Sequence, residues 1–122
     1  MSSLAGKRIL LVEDEFIIAA MAEDMLTALG ATVIGPASTI AMALRLAETD
    51  GIDAAVLDVN MGGERIDPVA EVLGARNVPV VFATGYGARA LGCASEAPVL
   101  DKPYTQEELA AALARALGAA RP

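Results

Sequence analysis

Five polar residues with the chemistry of a charged site stand at or just beyond the ends of apolar runs. Glu13 and Asp14 follow ILLV, Asp58 sits in AAVLDVNM, Thr84 in VVFATG and Lys102 in VLDKP. An ionised carboxylate costs several kcal/mol to remove from water, so Glu13, Asp14 and Glu15 in a row demand a cation nearby. A hard divalent ion such as Mg²⁺ takes oxygen ligands and typically uses one or two carboxylates together with waters and a phosphate. Asp14 and Asp58 suit direct ligation, Glu13 suits contact through water, and a backbone carbonyl near Asn60 adds a further oxygen. A carboxylate is also a nucleophile that forms an aspartyl-phosphate, and Asp58 is the candidate for that role. The Thr84 hydroxyl and the Lys102 ammonium would then hold phosphoryl oxygens.

Such a site needs a sheet that brings several strand ends together. Strand-like apolar runs occur at 8–12, 31–35, 54–57, 78–83 and 98–100, with helical spacing between most of them. This alternation implies a parallel sheet with crossover helices, whose ligand crevice lies at the carboxyl ends of the strands. In the first helix Ile18, Met21, Met25 and Leu29 form one stripe, expected to face the core, and Gly30 stops the helix. The second shows Ile40, Ala43, Leu44 and Ala47, with Ser38 as its expected N-cap. Asp67-Pro68 predicts an N-cap followed by proline at the first helical position, and Thr105 with Glu108 predicts a capping box for the last helix. Between the last two strands GYGARALGCASEA carries three glycines and no sustained apolar stripe. A fourth helix there is expected to be short or poorly ordered.

Composition narrows the function classes. The chain has 122 residues, 55% of them hydrophobic, which is enough for one domain with a sizeable core and too few for two ordinary ones. Residues 1–122 are therefore read as a single domain with no output domain. Nine basic against sixteen acidic residues argue against a nucleic-acid or anionic-membrane surface. The longest apolar run, 16–22, falls well short of the roughly 20 residues of a membrane span, and the expected location is cytoplasmic. The absence of histidine removes histidine-based acid–base catalysis and phosphohistidine donation. The single cysteine, Cys93, removes an internal disulfide and is read as inert. Gly62-Gly63 is not a phosphate loop, since no Gly-Lys-Ser/Thr follows a strand. Glu15 reads as an ordinary charge at the start of the first helix.

Taken in order, Glu13-Asp14, Asp58, Thr84 and Lys102-Pro103 resemble the receiver domain of two-component response regulators over nearly the whole chain. The resemblance implies a flavodoxin-like α/β fold with a five-stranded parallel sheet of order 2-1-3-4-5 and helices on both faces. It implies that Asp58 accepts a phosphoryl group from a sensor histidine kinase or a phosphotransfer protein, with Mg²⁺ held at Glu13, Asp14, Asp58 and the Asn60 carbonyl. Thr84 and Lys102 become the phosphoryl-binding switch residues, and Pro103 the candidate cis proline. VFATGYG is similar to receivers that carry a Phe-Ala-Thr-Gly signature and pair with kinases of the HWE/HisKA2 kind. Signalling would pass through protein contacts, or the domain would serve as a phosphate sink.

Three departures from the common pattern stand out. Glu13-Asp14 replaces an Asp-Asp pair, NMGGE lacks a common proline, and Val99 occupies a position usually held by an aromatic switch residue. Tyr86 is the expected relay in its place, through ordering of residues 86–96. Two other readings compete with this one. A pseudo-receiver that binds partners without phosphorylation is opposed by the intact Asp58, Thr84 and Lys102. A Toprim-like divalent-metal enzyme would want an Asp at position 60, where the residue is Asn60.

Overall fold

The computed structural model describes residues 4–85 and 97–119, without the side chains of Asn60 and Ala119. The elements in chain order are β1 (Arg8–Val12), α1 (Phe16–Ala28), β2 (Thr32–Ala37), α2 (Ile40–Leu46), β3 (Ala54–Asp58), β4 (Asn60–Met61), β5 (Glu64–Arg65), α3 (Asp67–Ala75), β6 (Val80–Thr84), β7 (Val99–Asp101) and α4 (Gln106–Ala119). Five strands form one sheet of order β2-β1-β3-β6-β7, and all its pairings are parallel. With β6 and β7 as the fourth and fifth strands of this sheet, its order is the expected 2-1-3-4-5. The remaining two strands, β4 and β5, make a separate antiparallel hairpin directly after β3. The expected fourth helix falls on 86–96 and lies outside the described residues. No helix among the described residues is long and apolar enough to cross a membrane.

Side-chain alternation along the buried strands supplies two core layers. Ile9, Leu11, Ala54, Val56, Val81 and Ala83 face Ala22 and Leu26 of α1 and Leu109, Leu113 and Ala116 of α4. Leu10, Val12, Ala55, Leu57 and Phe82 face Ala43 of α2 and Val69 and Leu73 of α3. The helices therefore cover both faces of the sheet.

Several local expectations need correction. Helix α1 buries Ala19, Ala22 and Leu26, while Met21 is 49% exposed and Met25 only partly buried. FIIAAM is apolar nearly all round, so spacing alone did not decide which side meets the sheet. Small alanines beside Leu26 allow the close approach; Met25 and Leu29 of the expected stripe pack against the core from its margin, and Phe16 and Ile17 turn outward. Thr39, not Ser38, caps α2, its Oγ1 accepting the Met42 amide at 3.1 Å. Asp67 is the first residue of α3 and not its cap, which is Ile66, and its carboxylate accepts from Arg65 Nε at 2.9 Å. The capping box of α4 forms as the sequence implies: the Thr105 amide donates to Glu108 Oε1 at 2.8 Å and the Glu108 amide to Thr105 Oγ1 at 3.0 Å.

Strand β2 runs two residues beyond its expected end. Leu10 pairs with Ile34 and Val12 with Ala37, so Gly35-Pro36 adds a residue opposite Leu11 and makes a bulge. Proline is tolerated there because β2 is an edge strand. The bulge matters for the site, since it brings the Ala37 carbonyl to the Glu13 amide at 3.0 Å. Gly35 has φ +104, and a Cβ on it would meet the Ala37 nitrogen at 2.8 Å and the Leu11 oxygen at 2.9 Å, both backbone atoms. Gly35→Ala is therefore expected to cost about 1–3 kcal/mol of strain, read as a lower urea midpoint with unchanged slope. Gly74→Ala in α3, where nothing lies within 4 Å, is the matched control and should be neutral or stabilising by roughly 0.5–1 kcal/mol.

Candidate functional site

Four neighbouring strand ends converge on one rim. Asp58 closes the central strand β3, with Glu13 and Asp14 beyond β1 on one side and Thr84 at the end of β6 on the other. Lys102 follows β7, and its amide donates to the Thr84 carbonyl at 2.9 Å, which ties the two residues together at the backbone. The Val59 amide donates to the Ala83 carbonyl at 3.0 Å and holds the end of β3 against β6. By strand alternation Glu13, Asp58 and Lys102 continue the α1/α4 face, whereas Thr84 continues the α2/α3 face.

Glu13, Asp58 and Thr84 are buried and Asp14 is half-buried. The Lys102 ammonium lies 2.7 Å from Glu13 Oε1 and 3.2 Å from Asp58 Oδ1, so the cation in direct contact with two of the carboxylates is Lys102 itself. The other Glu13 oxygen, Oε2, accepts the Glu15 amide at 3.1 Å. Burial acts to push Lys102 down, but the hydrogen bond to Glu13 and the charges of Asp58 and Glu13 together outweigh it and hold the ammonium above its ordinary value. Asp58 is pushed up to about 7, first by burial and then by the Glu13 charge, with Lys102 offsetting part of the rise.

Asp14, Asp58, Gly62, Gly63, Thr84 and Lys102 line a polar cavity of about 370 Å³. Beside it lies an apolar cavity of about 260 Å³, walled by Ile18, Met21 and Met25 of α1 together with Pro103 and Tyr104. Tyr104 is buried, and burial with the nearby Glu13 charge pushes its phenol up to about 12. One oxygen from each of Glu13, Asp14 and Asp58 lies within 4.8 Å of the others. That all-oxygen, anionic donor set fits a hard divalent cation, with Asp14 and Asp58 facing the cavity and Glu13 turned to Lys102.

Asn60 begins β4, two residues beyond Asp58, and pairs with Arg65. The Lys102–Pro103 peptide is cis. Val99 packs in the α2/α3 layer, paired with Phe82. Tyr86 and Cys93 lie outside the described residues. Sequence reasoning missed the Lys102–Glu13 pair and the β4–β5 hairpin. The hairpin did leave a mark, because Gly62-Gly63 between Met61 and Glu64 is a two-residue loop for a turn with both central φ positive, here +60 and +90.

The raised Asp58 carboxyl links protonation to stability. The folded chain keeps this proton up to about pH 7, while the unfolded chain releases it near its ordinary value of 3.8. Below the lower value both states hold the proton; between the two the folded state binds more, so stability falls as pH rises through this interval. In metal-free buffer the urea midpoint of Asp58→Asn, measured against wild type, should gain steadily between about pH 4 and about pH 7 and level off above. A wild-type minus Asp58→Asn difference that is flat with pH would contradict this.

The family model of the response regulator receiver domain matches residues 9–114. The chain is 32% identical over 114 residues to the phyllosphere-induced regulator PhyR of Methylorubrum extorquens; the match covers 89% of this chain and 43% of PhyR, so the chain spans less than half the length of this relative. Among solved structures it is similar to SdrG of Sphingomonas melonis Fr1, with 50% identity, a TM-score of 0.78 and coverage of 96% of this chain and 99% of that one. A receiver domain of a sensor histidine kinase from Pseudomonas aeruginosa, with a magnesium ion coordinated in its active-site cleft, aligns at TM-score 0.79 and 30% identity over 93% of this chain and 99% of the other. A family match that runs from β1 into α4, over a sheet and an acidic pocket of the same kind, means that this chain belongs to the response regulator receiver domain family, whose members are signalling modules and not enzymes.

Proposed function

We propose that this chain is a Mg²⁺-dependent phosphoacceptor, taking a phosphoryl group onto Asp58 from the phosphohistidine of a sensor histidine kinase or a phosphotransfer protein. The observation that carries the reading is the placement of Asp58: a buried carboxylate at the end of the central strand, open to a polar cavity and touched by Lys102 at 3.2 Å. A carboxylate oxygen of Asp58 attacks phosphorus, the P–N bond of the donor breaks, and the leaving imidazole takes up a proton. Charge on the transferred group is met by the Lys102 ammonium, and the Thr84 hydroxyl is the second donor at the rim. Asp14 and Asp58 would hold Mg²⁺, with the Asn60 carbonyl as a further oxygen and Glu13 reaching the ion through water, and the ion would supply positive charge for the phosphoryl oxygens. The same positive charge favours ionised Asp58, which the nucleophile requires and which burial alone opposes.

VFATGYG at 81–87, together with 50% identity to SdrG, supports the narrower reading as a Phe-Ala-Thr-Gly receiver served by a kinase of the HWE/HisKA2 kind. Output by protein contacts and service as a phosphate sink both follow from phosphorylation of Asp58. The pseudo-receiver alternative is the negative outcome of the test below.

Acetyl phosphate with Mg²⁺ should add the mass of one phosphoryl group to the protein, and chelation or Asp58→Asn should abolish the adduct. Labelling of Asp58→Asn at wild-type yield would move the site elsewhere, and no labelling of wild type would favour the pseudo-receiver. Mg²⁺ at a hundred times its dissociation constant should stabilise wild type by roughly 2.7 kcal/mol. Asp14→Ala and Asp58→Ala should raise metal-free stability and lose that increment; equal Mg²⁺ shifts in all three proteins would place the cation elsewhere.

A further inference from the structure

We infer that Gly62 sets access to the carboxylate cavity: the side chain it lacks keeps the Asp14 side open to a hydrated divalent cation and to the phosphodonor that follows it. A turn with both central φ positive accepts Asn, Asp or Gly at its first central position, and Asn-Gly is among its favoured pairs. Backbone conformation therefore does not by itself demand glycine at 62, where φ is +60. The two glycines differ in what a side chain would meet. A Cβ at Gly62 would stand 3.7 Å from Asp14 Oδ2, whereas one at Gly63 would meet nothing within 4 Å. Both glycines line the cavity, and it is position 62 that points toward the half-buried carboxylate.

The hairpin is held in place on both sides. Met61 is buried in the α2/α3 layer, the Ile66 amide reaches the Val59 carbonyl at 3.3 Å, and Arg65 pairs with Asp67 at the start of α3. A side chain at 62 would have to occupy the cavity mouth. Mg²⁺ dehydrates reluctantly and keeps several waters when it binds through one or two carboxylates. With Asp14 and Asp58 holding the ion, as proposed above, those waters need the volume beside Asp14 that Gly62 leaves empty.

The test compares Gly62→Asn, since asparagine tolerates a φ near +60, with Gly74→Ala in α3, which does not line the cavity. Mg²⁺ titration followed by backbone amide shifts should show affinity weakened about tenfold in Gly62→Asn and within about twofold of wild type in Gly74→Ala. The acetyl phosphate labelling rate at subsaturating Mg²⁺ should fall in step. The metal-free melting temperature of Gly62→Asn reports whether the hairpin is intact; if Gly62→Asn does not fold, Gly62→Ala, whose methyl only touches Asp14, replaces it with a smaller loss expected. Wild-type Mg²⁺ affinity in the folded position-62 variant, or equal weakening in Gly74→Ala, overturns the inference. If wild type binds Mg²⁺ but is never phosphorylated, the phosphoacceptor reading fails while the titration still decides the role of Gly62. If wild type binds no Mg²⁺, both fall.

Discussion

The contact on which the site depends is the Lys102 ammonium set between two buried carboxylates, 2.7 Å from Glu13 and 3.2 Å from Asp58. Parallel strands end with their polar residues gathered at one rim, and without a cation the desolvation of Glu13 and Asp58 would oppose folding by several kcal/mol. Lys102 arrives from beyond the edge strand β7, two strands away from Asp58, so the pairing exists only because the sheet order places β6 beside β3 and β7 beside β6. The backbone bond from Lys102 to Thr84 fixes the distance that the long lysine stem has to cover. Burial first, and then one lysine shared between two acids, leave Asp58 short of compensation, which is why its carboxyl is raised and why a second cation is chemically welcome.

The acidic pocket has two unlike walls. On one side Glu13 is committed, one oxygen to Lys102 and the other to the Glu15 amide, and it works as an anchor within the protein. On the other side Asp14 is half-buried and faces the glycine turn of the β4–β5 hairpin. The neighbouring acids therefore divide into one that holds the lysine and one that faces the cavity. Glutamate at 13 provides the extra methylene for the longer reach. Beside the rim, buried Tyr104 stands close enough to Glu13, Lys102 and Asp58 for their charges to act on its phenol.

Much of the fold was legible because parallel-sheet strands, buried on both faces, read as continuous apolar runs, and because the last helix carries its own capping box. The features that escaped have physical reasons. The phase of α1 could not be read from a stretch that is apolar all round, and small alanines rather than methionines decided which side meets the sheet. The N-cap of α2 moved by one residue because two adjacent hydroxyl residues compete for the same role. The end of β2 was hidden by Gly35-Pro36, a pair that reads as a turn but here forms a bulge on an edge strand.

For the site itself, residue types and their placement at strand ends were enough to single out Glu13, Asp14, Asp58, Thr84 and Lys102, because a parallel sheet puts all its carboxyl ends on one rim. Linear order cannot say which charge meets which. That Lys102 takes Glu13 and Asp58 while Asp14 is left to the cavity follows from strand order, from alternation across the sheet and from the bulge that brings the Ala37 carbonyl to the Glu13 amide. That a Cβ at position 62 would meet Asp14 while one at position 63 would meet nothing within 4 Å follows from the hand and anchoring of a two-residue turn. Both are distances between residues far apart or oppositely directed along the chain, and only tertiary structure sets them.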